Sequence, residues 1–65
     1  MTFIINGETH ERQEETLATL LSALDYEGEW LATAVNGEIV HREERAKYRL
    51  SDGDRIEILT PMQGG

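Results

Sequence analysis

An α+β domain, with one helix packed on one face of a mixed β-sheet, is the fold class this chain predicts. Three observations lead there. Short β-rich runs surround a single stretch of helical periodicity, two Asn-Gly dipeptides sit between strand-like segments, and a last segment alternates polar and apolar residues ahead of a proline. At 65 residues the chain is one small domain, near the lower limit at which a hydrophobic core holds unaided.

Thr2-Phe3-Ile4-Ile5 is rich in β-formers, and Asn6-Gly7 follows it. Both residues of an Asn-Gly pair accept the positive φ of a type I′ turn, so a hairpin is expected. Its return strand, Glu8 to Arg12, is almost wholly polar and belongs at a sheet edge. Thr16 offers an N-cap hydroxyl, and Leu17, Leu20, Leu21 and Leu24 then recur at the spacing of one helix face. Glu14 and Glu15 stand just ahead, where negative charge suits the helix dipole, and Gly28 marks the exit. Trp30 to Asn36 reads as a strand, Asn36-Gly37 as a second hairpin turn, and Glu38-Ile39-Val40 as its return. Residues 41–49 are charged and irregular, with Tyr48 and Leu50 as anchors onto the core. Ser51-Asp52-Gly53-Asp54 is a dense turn signal, and Arg55 to Leu59 alternates as a half-buried strand does. Pro61 has no N–H to donate and ends the pairing. The order is β-β-α-β-β-β. Alternation turns Met1, Phe3, Ile5, Ile56 and Ile58 toward the helix, and Ile4, Arg55, Glu57 and Leu59 away from it.

Thirteen acidic residues against six basic ones give a net charge of −7, which argues against a nucleic-acid partner. No cysteine is present, so there is no disulfide and no thiolate nucleophile, and a cytoplasmic setting fits. Neither a charged-then-apolar leader nor a long apolar run occurs, so no signal peptide or membrane span is expected. His10 and His41 lack ligand spacing, and no metal site is expected of them. Asp52 and Asp54 lack the further oxygen ligands of a calcium loop, which leaves them to shape a turn. Arg42, Arg45, Lys47 and Arg49 crowd one segment; such a run is usually a solvated face, with a docking patch for an acidic partner as the less common reading. Neither a phosphate-binding glycine loop nor a nucleophile–base–orienter set is found, so no residue is assigned a catalytic role.

The chain closes on Gly64-Gly65. Glycine has no Cβ, so such a tail can enter a slot too narrow for any side chain. Residues 1–59 are read as the domain and 60–65 as a flexible tail carrying a terminal carboxylate. Fully extended, that tail reaches roughly 20 Å at about 3.4 Å per residue, enough to carry the carboxylate into another protein's active site. Ile4, Leu59 and Met62 are apolar without a core role and lie near the root of the tail, where they are expected to form a small docking patch.

The segments Ala34-Val35-Asn36-Gly37-Glu38-Ile39-Val40 with Arg42, Leu50-x-x-Gly53-Asp54-x-Ile56-Glu57-Ile58, and the closing Pro61-x-Gln63-Gly64-Gly65 carry a family likeness. In this order they resemble the ubiquitin-like, β-grasp sulfur carrier proteins, most closely those of thiamine biosynthesis (ThiS-type). His41 stands where that family often has proline, and Arg45 where it often has an aromatic residue. The resemblance implies a β-grasp fold and a carrier rather than an enzyme. A ubiquitin-activating-like adenylyltransferase (ThiF-type), using ATP and Mg, would adenylate Gly65. A cysteine-derived persulfide would then supply sulfur to make a thiocarboxylate, and a thiazole synthase (ThiG-type) would accept it. Met62, Gln63 and Gly64 would thread into the partners' active sites, and the chain itself would bind no cofactor. Alternatives with the same tail are the small subunit of molybdopterin synthase, a protein modifier conjugated through Gly65, and a non-covalent binding module with an incidental diglycine.

Overall fold

A computed structural model describes residues 1–26 and 31–60. The first hairpin pairs β1 (Thr2–Ile5) with β2 (Glu8–Glu11), and the second pairs β3 (Ala32–Val35) with β4 (Glu38–Val40). At both turns the expected chemistry is present: Asn6 and Gly7 have φ of 50° and 85°, Asn36 and Gly37 of 53° and 84°. The last strand, β5 (Arg55–Leu59), does not extend either hairpin at its edge. It inserts between them, giving the order β2-β1-β5-β3-β4, with β1 and β5 parallel and the other pairs antiparallel. The sheet is therefore mixed, and β2, the polar strand, lies at its edge as its composition requires.

The helix α1 (Leu17–Ala23) buries Leu17, Leu20 and Leu21 against the inner face of the sheet. Phe3, Ile5, Val35, Val40, Ile56 and Ile58 meet them there, and Leu24, Tyr26 and Tyr48 pack at the margin. Thr16 is the N-cap: its hydroxyl accepts the Thr19 N–H at 3.2 Å, and the Thr19 hydroxyl accepts the Thr16 N–H in return. The next orphan donors go to the 41–49 segment, since Leu17 N–H reaches the Tyr48 carbonyl and Ala18 N–H the Arg45 carbonyl, each at 3.0 Å. This irregular segment therefore holds the start of the helix.

Glu14 and Glu15 stand just ahead of the N-cap, as expected. There Glu14 takes a two-pronged contact from Arg12, at 2.9 and 3.2 Å, while Glu15 faces Arg49 at 3.4 Å. Other expectations change. Asp25 makes the helix exit; Gly28, expected to mark the exit region, lies with Trp30 outside the described residues. Asp25 takes φ of 64°, and its N–H and that of Tyr26 return to the carbonyls of Ser22 and Leu21, a Schellman closure that a short polar side chain tolerates. Met1, expected inward, lies ahead of β1 and is 40% exposed. The 41–49 segment contains a short 3-10 turn, Arg42–Glu44, and anchors through Tyr48 and Leu50 as expected.

Arg45 departs most from the sequence reading. It is 7% exposed and so does not belong to a basic surface run. Its Nη2 donates to the Leu31 carbonyl at 2.7 Å and its Nε to the Thr33 hydroxyl at 3.2 Å, and that hydroxyl donates on to the Val40 carbonyl at 2.8 Å. A guanidinium thus fills an interior position by satisfying the Leu31 carbonyl, just ahead of β3, and the Thr33 hydroxyl on it, groups that an aromatic ring of similar bulk would cover without bonding. Arg45→Ala is expected to cost about 2–3 kcal/mol in urea unfolding by leaving those groups unpaired, whereas Lys47→Ala stays within about 0.5 kcal/mol. The hydrogen bonds from Arg12 hold the Glu14 carboxyl below its ordinary 4.5, against a smaller opposing effect of burial. The stabilisation from this pair is therefore present above about pH 4.5 and is lost as pH falls through the lower folded value, so Glu14→Gln is expected to flatten that part of the stability–pH profile.

Candidate functional site

The solvent face of the sheet follows from strand alternation. On β5 the residues Arg55, Glu57 and Leu59 point away from the helix, and Ile56 and Ile58 point into the core. Registers set their neighbours: Ile4 lies across from Arg55, Ala34 from Glu57 on one side and Ile39 on the other, and Ala32 from Leu59. Two alanines on β3 flanked by longer apolar side chains make this face concave, and the groove encloses about 690 Å³. Ile4, Ile39 and Leu59 supply its apolar walls, Arg55 and Glu57 one charge of each sign, and Asn6 an amide. Leu59 and Ile39 are 68% and 66% exposed, large apolar side chains with no core role.

Ile4 and Leu59 are thus brought to one groove. Met62, the third member of the expected patch, lies outside the described residues, as do Gln63, Gly64 and Gly65. Ile39 is the large apolar wall of the groove that the sequence reading missed, along with the smaller Ala32 and Ala34 at its floor. Its signal is the apolar pair Ile39-Val40: with a period of two, Val40 buried in the core leaves Ile39 on the opposite face.

The groove has no histidine among its lining residues, and its make-up suits docking more than bond-making. His10 lies on β2, 3.7 Å from Glu8, and His41 precedes the 3-10 turn, where its N–H donates to Glu44 at 3.3 Å. Among the described residues no three metal-ligating side chains gather. Asp52 and Asp54 shape the turn before β5: Asp52 Oδ1 accepts the Thr2 N–H at 2.6 Å, and Asp54 accepts the Ser51 N–H at 2.7 Å and the Asn36 amide at 2.9 Å. Among the described residues no helix is long and apolar enough to cross a membrane.

The ThiS family model matches residues 3–65. The chain is 37% identical to the sulfur carrier protein ThiS of Escherichia coli K12 over 51 residues, 78% of this chain and 77% of that one. It is 34% identical to an uncharacterised protein, ycf40, of Trieres chinensis, over 98% of this chain and 89% of the relative. Among solved structures, the crystal structure of the thiamine biosynthesis protein ThiS from Geobacter metallireducens superposes with a TM-score of 0.84 at 32% identity, covering both chains completely. A solution structure of a thiamine biosynthesis protein from the same organism gives 0.83 at 35% identity, covering this chain fully and 88% of the other. The β-grasp arrangement of one helix on a mixed sheet is therefore shared with solved relatives.

Because Ile39 and Leu59 face solvent, Ile39→Asp and Leu59→Asp are expected to leave the fold intact. Each should shift stability by no more than about 0.5 kcal/mol in thermal or urea unfolding.

Proposed function

The chain belongs to the ThiS family, and on that premise we propose that it is a sulfur carrier of thiamine biosynthesis whose working group is the carboxylate of Gly65. A carboxylate is a poor electrophile and must first be activated. A ThiF-type adenylyltransferase with ATP and Mg joins a Gly65 oxygen to the α-phosphate and releases pyrophosphate. The terminal sulfur of a cysteine-derived persulfide then attacks the acyl carbon, and AMP departs. A second thiol cleaves the resulting acyl disulfide and becomes oxidised to a disulfide, leaving a thiocarboxylate. Its sulfur is the nucleophile that a ThiG-type thiazole synthase uses. The carrier acts as co-substrate in a cytoplasmic pathway, and its partners supply the catalysis.

The observation that carries this reading is the family match, which continues through Gln63-Gly64-Gly65 to the last residue. Gly64 gives the tail a slim profile for a narrow entry, with Gln63 and Met62 threading behind it. The groove fits the same reading: Ile4, Ile39 and Leu59, with Met62 beyond the described chain, form the surface on which the activating enzyme and the synthase dock. Burial of such exposed apolar side chains supplies binding energy to bring the tail to the reacting centre.

Co-expressed with its activating enzyme and a sulfur source, the intact protein is expected to gain about 16 Da as sulfur replaces one carboxylate oxygen. Deleting Gly65, or Gly64→Leu, should abolish that gain with the fold unchanged. Thiocarboxylation of either variant at the normal rate would overturn the carrier reading. Leu59→Asp should slow adenylate formation in a folded protein, and an unchanged rate would remove the docking role of the groove.

A further inference from the structure

We propose that Asn6 is a positioning residue for the C-terminal tail: its side-chain amide takes the place of a missing strand residue and holds the end of β5 from which residues 61–65 follow. This inference rests on the carrier reading. The β1–β5 pairing is parallel, with Ile4 across from Arg55 and Ile5 from Ile56. It begins with Ile4 N–H on the Asp54 carbonyl and continues with Asn6 N–H on the Ile56 carbonyl, both at 2.9 Å. In a regular parallel ladder the next bond would run from Ile58 N–H to the main-chain carbonyl of Asn6. That bond is replaced, because Asn6 already has φ of 50° and the chain is turning toward β2.

The side chain substitutes for the backbone. Asn6 Oδ1 accepts the Ile58 N–H at 2.8 Å, and Asn6 Nδ2 donates to the Ile58 carbonyl at 3.2 Å. One carboxamide thus provides the acceptor and the donor that two successive peptide groups of a longer β1 would have given. On the other flank the final pairing is Ala32 with Leu59. Asn6 is therefore the last β1-side grip on β5 among the described residues, with Leu59 and Thr60 directly after it.

The second Asn-Gly turn provides an internal comparison. Asn36 Oδ1 accepts the Arg55 N–H at 3.0 Å, and Asn36 N–H donates to the Arg55 carbonyl at 2.7 Å. Two asparagines in like turns thus grip the same strand at opposite ends, Asn36 where it enters the sheet and Asn6 where it leaves. Among the described residues the Asn6 grip is the one at the end of β5 from which the chain continues to Thr60. When it is lost, the root of the tail must be ordered during partner binding, and that cost appears as weaker binding of the carrier while the chemistry after binding is unchanged.

The test compares Asn6→Gly with Asn36→Gly. Glycine tolerates the positive φ of both turns, so each variant removes the amide and keeps the turn. Amide exchange at Ile58 is followed by NMR, and adenylate formation is measured with a ThiF-type enzyme, ATP and Mg while carrier concentration is varied. Asn6→Gly is expected to lose protection at Ile58 and to raise KM for the carrier roughly tenfold, the factor for ordering about one further residue, with kcat within about twofold. Asn36→Gly should keep protection at Ile58 and hold KM within about twofold of the unaltered chain. A raised KM with Ile58 still protected would overturn the proposal in favour of direct contact between Asn6 and the partner. Lost protection without a change in KM, or equal effects of the two variants, would overturn it as well. If the unaltered chain forms no adenylate, the carrier reading fails and this inference falls with it.

Discussion

Every part of this domain depends on β5 lying between the two hairpins. Neither hairpin alone offers a surface wide enough to cover the leucine face of the helix, and Ile56 and Ile58 supply the centre of the core between Phe3 and Ile5 on one side and Thr33 and Val35 on the other. A central strand must have its N–H and C=O groups satisfied on both flanks, since unpaired groups there would be costly. β1 and β3 meet that need along most of β5, and the amides of Asn6 and Asn36 meet it where those strands turn away. The Asn-Gly pairs accordingly have two duties: glycine permits the turn, and asparagine holds the inserted strand.

Much of this was legible in the sequence, for reasons that can be stated residue by residue. Period and turn chemistry are local, so the two hairpins, the Thr16 cap, the leucine face and the alternation of β5 could be read directly. The outward direction of Ile4 and Leu59 came from the same alternation. Arg45 was not legible, because a charged residue in a charged run gives no sign that it turns inward to serve Leu31 and Thr33, partners 14 and 12 positions away. Asp25 was not legible as a helix exit, because composition favours glycine there, while the Schellman bonds form wherever the helix face ends. For Asn6, the turn signal accounted for the residue fully and left no hint of its side chain's use. The tail was read from its chemistry and from the family resemblance.

The two faces of the sheet divide the labour. The inner face is committed to the core, and the groove on the outer one is walled by apolar side chains with a single charge of each sign. The chain's net charge of −7 is therefore carried mainly away from the groove. On the proposed carrier reading, such an arrangement would separate long-range steering by net charge from the short-range burial of apolar side chains in the groove.

The insertion of β5 also bears on how the chain folds. Each hairpin closes over a few residues and can form early, but the contacts that join them bring together residues such as Thr2 and Asp52, 50 positions apart. The closure entropy of that long loop must be met before the central pairing returns any stabilisation, so the expected rate-limiting event is the docking of the last strand between two preformed hairpins. The residues that follow β5 are thus joined to the strand whose arrival completes the fold, and a chain in which that strand has not docked lacks a finished core.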